Sequence, residues 1–180
     1  WQPGNPDLTI KERQAQEALA SALGLELEVL VEPRERPQGP FSAFSPYETL
    51  QVAAPGDTFG VSVGLHNLSG SPIEVRAGFT PRTPPGVRVE GITGSRFEVS
   101  IPAGVETTSA YWVRESIRET SYRLTTPTLF GTPVPPPPIS VRVVYDYLGV
   151  RAALEAPALV SYIDATGVQR RRPLVIGPPV

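Results

Sequence analysis

Between Leu25 and Ile176 apolar side chains recur mainly at every second position, which is the period of a strand with one buried face. Leu25, Leu27, Val29 and Val31 alternate with Glu26 and Glu28 until Pro33 ends the run. Phe59, Val61, Val63 and Leu65 repeat the pattern with Ser62 and His66 opposite, and Ile73, Val75, Ala77 and Phe79 repeat it again. Short strands are predicted around Val87–Glu90, Phe97–Ile101 and Thr107–Val113, split by turn signals at Pro84-Pro85-Gly86, Gly94-Ser95 and Pro102-Ala103-Gly104. Four more are predicted at Ile139–Tyr147, Val150–Glu155, Leu159–Ile163 and Val168–Ile176. A chain with this rhythm folds by packing sheets. Short strands at this spacing predict a mainly β protein, an immunoglobulin-like β-sandwich built as one enlarged or two tightly joined pairs of sheets.

Ahead of the alternation stand a loop-like stretch, Trp1 to Asp7, and one N-terminal α-helix. Thr9 and Glu12 have the spacing of a capping box, and Gly24 suits a left-handed C-terminal cap. Ala15, Ala18, Leu19, Ala22 and Leu23 fall on one helical face, which must dock on something to be buried. The organisation that follows is a leading loop, helix and first strand over 1–33, a linker loop over 34–49 and a sandwich over 50–115. A Pro-rich connection, 116–138, ends in Pro135-Pro136-Pro137-Pro138, a run that favours a stiff polyproline II strut. The strands of 139–180 are too few to bury a core alone and are expected to pack on the sandwich.

Composition removes several function classes. A formal charge of −2 gives no pull toward nucleic acid, so none is expected as a partner. No apolar run approaches the roughly 20 residues needed to cross a bilayer. With no cysteine there is no disulfide framework, no thiol catalysis and no thiolate-held metal. The chain opens at Trp1 without a signal-peptide pattern, and it reads as a piece of a larger protein.

The chemistry-bearing residues are sparse. His66 is the only histidine, and Asp7, Asp57, Asp146 and Asp164 sit beside turn residues or strand ends, so neither a metal nor a cofactor is expected. Gly60-Val61-Ser62-Val63-Gly64 matches the G-x-S-x-G hydrolase pattern, but it lies inside an alternating strand with no helix after it, and His66 is on the same strand. Glu115 and Glu119 invite a two-carboxylate reading, yet Arg114 and Arg118 border them, as in a solvated charged loop. Asn67-Leu68-Ser69 fits a glycosylation sequon without a secretory signal beside it. Arg170-Arg171-Arg172 alternates across a strand, which suits an edge that repels other sheets better than a phosphate patch. No catalytic residue is assigned, and the chain is read as a non-enzyme. The binding candidates are Tyr111, Trp112, Arg114, Tyr122 and Phe130, since aromatic rings stack on sugar faces and an arginine beside them donates hydrogen bonds. The competing role for Trp112 is packing at a strand end.

Pro55-Gly56-Asp57-Thr58-Phe59 leading to Asn67 resembles the opening of Ig-like domains attached to carbohydrate-active and deacetylase enzymes. Tyr111-Trp112-Val113-Arg114-Glu115 resembles a stretch in the C-terminal region of long bacterial PIG-L (LmbE-like) N-acetylglucosaminyl deacetylases. Leu129-Phe130-Gly131-Thr132-Pro133 with its following prolines, Tyr145 with Gly149-Val150, and Arg171-Arg172-Pro173-Leu174-Val175 continue the likeness in the same order. The family's zinc loop has no counterpart, because Asn5-Pro6-Asp7 lacks the metal-binding histidine. The resemblance implies an accessory tail, extracellular or periplasmic, whose partners are an upstream catalytic domain of the same chain and a glycan or cell-envelope carbohydrate. A free-standing adhesion or protein-interaction module is the alternative.

Overall fold

The computed structural model describes residues 6–35, 39–40, 46–114, 116–126, 129 and 135–178. It is mainly β, with a helix α1 (Pro6–Ala22) and eleven strands among the described residues. The larger sheet is built from β1 (Leu25–Val31), β2 (Thr58–Asn67), β4 (Arg88–Thr93), β5 (Arg96–Ser100), β10 (Leu159–Ile163) and β11 (Gln169–Pro173). Its order is β11-β10-β1-β2-β5-β4, and β1 runs parallel to β10 through the Leu30–Leu159 pair. The smaller sheet, β3-β8-β9, joins β3 (Glu74–Arg82), β8 (Ser140–Tyr147) and β9 (Val150–Pro157).

The two sheets share one core. Val29, Val31, Val61, Val99 and Val160 of the larger sheet are buried against Val141 and Val143 of the smaller. Each fully buried aliphatic side chain of this size contributes about 1.5–3 kcal/mol through the apolar surface it removes from water. The C-terminal residues belong to the same core: Leu174 and Ile176 are buried in it, and Leu174 N–H donates to the Ala158 carbonyl at 2.8 Å. A second cluster joins α1 to the sheets, with Ala20 and Leu23 packed on Leu25, Tyr145 and Ala152. Tyr145 is wholly buried there and its hydroxyl has no hydrogen-bond partner among the described residues.

Three expectations change. The helix begins at Pro6, so Thr9 lies inside it and not at its cap. Proline is at home at this first position, where its missing N–H has no helical acceptor anyway. The buried helical face is Leu19, Ala20 and Leu23, while Ala15, Ala18 and Ala22 are exposed. Alanine is too weakly apolar to mark a face. On β3, Val75 and Ala77 are exposed and only Phe79 reaches the core, because the ladder with β8 shifts register between Val75 and Ala77 and again before Thr80. Each bulge inserts a residue and flips the side chains that follow.

Turns follow from local chemistry. Gly24 ends α1 at φ 62, and a Cβ there would press on Ser69 N at 3.1 Å. Ala54-Pro55-Gly56-Asp57 closes with Asp57 N–H on the Ala54 carbonyl at 3.0 Å, with Gly56 at φ 100 after the proline. The arginine run lies on β11, an edge strand of the larger sheet, and its side chains have partners within the fold. Arg171 pairs with Glu28 at 2.5 Å, Arg170 pairs with Asp164 at 2.9 Å, and the Arg172 guanidinium lies 5.3 Å from the centre of the Tyr162 ring.

Candidate functional site

Past Ile101 the chain leaves the sandwich. Gly104, at φ 97, turns it, and Thr108 then ties it back, its N–H donating to the Ile176 carbonyl at 2.8 Å and its Oγ1 accepting Ile176 N–H at 2.9 Å. Beyond this tie a small ribbon forms from β6 (Trp112–Val113) and β7 (Arg123–Leu124), with Trp112 opposite Leu124 and Val113 opposite Arg123. Thr125 N–H adds a bond to the Tyr111 carbonyl at 2.7 Å. Much of the strand expected over Thr107–Val113 is thus irregular, because residues 107–111 bond to Ile176 and the ribbon and not to a long neighbour.

Strand alternation places Trp112, Arg114 and Tyr122 on one face of the ribbon and Tyr111 on the other. Trp112 and Tyr122 meet edge to face, ring centres 5.0 Å apart at 75°, and the Arg114 guanidinium lies 5.4 Å from the Tyr122 ring centre. The guanidinium therefore stands over part of Tyr122, and both rings keep exposed surface. Trp112 is 44% exposed and Tyr122 56%. Such a T-shaped contact fixes the indole without burying it.

An open cleft of about 980 Å³ adjoins the ribbon, lined by Tyr111 and Trp112 together with Pro84, Pro135, Pro136 and Pro138. Hydroxyl-bearing Thr107, Ser109, Thr125 and Thr126 line it as well. Glu106 is the only charged side chain on its surface among the described residues. Arg114 does not line the cleft, so its contact is with Tyr122. Phe130 and Glu115 lie outside the described residues. Glu119 N–H donates to the Ser116 carbonyl at 3.1 Å in a short turn.

The sequence reading missed Glu106, the hydroxyl run and Pro84. They reach Trp112 only because Thr108 is tied to Ile176 and the prolines return along the ribbon, a tertiary juxtaposition that no local period encodes. The unbroken run Glu106-Thr107-Thr108-Ser109 ahead of the aromatic pair was its one visible trace.

Elsewhere several polar groups are committed to one another. A groove of about 560 Å³ beside α1 and β9 is lined by the Arg13–Glu17 pair (3.8 Å) and the Arg82–Glu155 pair (3.5 Å). The G-x-S-x-G segment lies within β2, where Ser62 Oγ donates to the Leu30 carbonyl at 3.5 Å and His66 Nε2 sits 3.7 Å from Glu28. Gly60 and Gly64 each leave space for a neighbour: a Cβ on Gly60 would collide with the Glu32 carboxylate that Arg96 holds at 2.5 Å, and one on Gly64 would press on the His66 ring at 3.1 Å. Among the described residues no three His, Asp or Glu side chains converge as a metal site, and no helix is long and apolar enough to cross a membrane.

No family model matches the chain, and no curated protein and no solved structure is significantly similar to it.

Proposed function

We propose that this chain is a non-catalytic, immunoglobulin-like accessory sandwich of an exported PIG-L-type deacetylase, and that it presents glycan through the cleft beside Trp112. The observation that carries the reading is an indole held by Tyr122, left 44% exposed, over a cleft lined with hydroxyls. Flat aromatic surface and neutral hydrogen-bonding groups in one open cleft match a sugar's apolar face and its rim of hydroxyls. The deacetylase kinship rests on the ordered sequence likeness from the Pro55-Gly56 turn to the closing Arg171-Arg172-Pro173 run.

The test is calorimetric titration of the chain with a chitin tetrasaccharide. Trp112→Ala is expected to weaken binding about tenfold or more, the loss of roughly 1.4 kcal/mol, while the melting temperature stays nearly unchanged. A large fall in melting temperature, with no binding by either form, would place Trp112 among the packing residues and end the glycan reading. The coding sequence upstream of Trp1 tests the kinship, which requires a PIG-L-type zinc domain there.

A further inference from the structure

The charge of the cleft carries a finer statement about its occupant. Its surface is aromatic, aliphatic, proline and hydroxyl, and the one charge on it among the described residues is Glu106, an exposed carboxylate at the start of the hydroxyl run. Most other carboxylates near an arginine are spoken for: Glu28 by Arg171, Glu32 by Arg96, Asp146 by Arg76 and Arg151, Asp164 by Arg170. Glu106 has neither an ion pair nor a hydrogen bond among the described residues, and no cation lines the cleft with it. Of the two arginines of the ribbon, Arg114 is turned to the Tyr122 ring and Arg123 stands opposite Val113, and neither lines the cleft.

The geometry points to a saccharide with a free amine as the ligand: an amino sugar stacked on Trp112, its ammonium bound by Glu106. This rests on the glycan reading above and narrows it. A neutral or N-acetylated sugar uses the indole and the hydroxyls, but leaves the carboxylate facing only water. An ammonium on the same ring adds a charge-assisted hydrogen bond to a carboxylate that has no internal partner to give up. An anionic sugar meets the one charge of its own sign.

The experiment titrates the chain with a glucosamine tetrasaccharide and, separately, with its fully N-acetylated counterpart, at low and at high salt. The expected result is about tenfold tighter binding of the free-amine oligomer, a preference that shrinks as salt screens the pair. Glu106→Gln, an exposed and nearly isosteric change, is expected to abolish the preference without moving the melting temperature. Equal affinity for the two oligomers, each weakened by Trp112→Ala, overturns the amine assignment and leaves the glycan reading standing. A preference that survives Glu106→Gln removes Glu106 from it. Binding of neither oligomer overturns both.

Discussion

The sandwich and the ribbon, described over residues 106–114 and 116–126, obey different rules. In the sandwich the large side chains of the core are mostly aliphatic: Val29, Val143, Val160 and Leu174 expose nothing. In the ribbon they are aromatic or branched and open to water, Tyr122 at 56% and Ile117 at 85%. Two residue pairs between β6 and β7, the Thr125–Tyr111 bond, the tie through Thr108 and the contacts of the Tyr122 ring help to hold the ribbon. A two-residue ribbon is not stable by itself. It stands because the sandwich provides a rigid base, and it is free to carry surface chemistry because it contributes little to the core. Stability and recognition are therefore separable by substitution.

The largest effect is expected in the sandwich. Leu174→Ala empties a fully buried site and should cost about 2–5 kcal/mol in chemical denaturation. A cost below about 1 kcal/mol would show that the C-terminal strands lie on the core without sharing it, and the contrast between the two regions would fail. Next comes a gain. Tyr145→Phe removes a buried hydroxyl with no partner among the described residues, beneath Ala20 and Leu23, and should stabilise the fold by about 1 kcal/mol. Destabilisation by that change would reveal a buried water satisfying the phenol.

These two sites also mark what the sequence could tell. Strands β1 and β2 are legible because each carries a strict two-residue period over an unbroken ladder, as Leu25 to Val31 does opposite Asn67 to Val61. The face of β3 was not, since bulges are properties of a pairing and leave no mark in one strand's sequence. The helical face was misread because Ala15 and Ala20 look alike in a pattern, although only Ala20 meets Tyr145. Of the binding candidates, Trp112, Arg114 and Tyr122 do come together, since cross-strand neighbours on a hairpin are close in sequence. Glu106 and Pro84 needed the tertiary path, and so stayed hidden.

A smaller effect is expected at the β10–β11 turn. The Asp164 carboxylate accepts hydrogen bonds from the Thr166 hydroxyl (2.5 Å), Arg170 Nε (2.9 Å) and the Val168 N–H (3.0 Å), which together hold it well below the usual carboxylate range. A depressed folded-state pKa stabilises the fold fully above the unfolded value, near pH 4, and the contribution is lost as pH falls below it. The melting temperature should therefore drop by a few degrees on acidification below about pH 4, and Asp164→Ala should flatten part of that slope. Asp146, whose carboxyl Arg76 depresses in the same direction, keeps the remainder of the slope in the variant. An unchanged acid limb in Asp164→Ala would place the whole acid sensitivity outside this turn.

The smallest effect sharpens the comparison most. A double-mutant cycle of Trp112→Ala and Tyr122→Ala measures what the edge-to-face contact contributes to folding, apart from what either ring does alone. Exposed as both rings are, the coupling should be about 0.5 kcal/mol, the low end for aromatic pairs. The same cycle on glycan affinity should look different. Removing Tyr122 frees the indole to swing, so Tyr122→Ala should weaken binding without Tyr122 touching the ligand, and the double variant should bind no worse than Trp112→Ala alone. If the two losses add instead, Tyr122 offers its own stacking surface, and the ribbon is a two-ring platform rather than one indole with a brace.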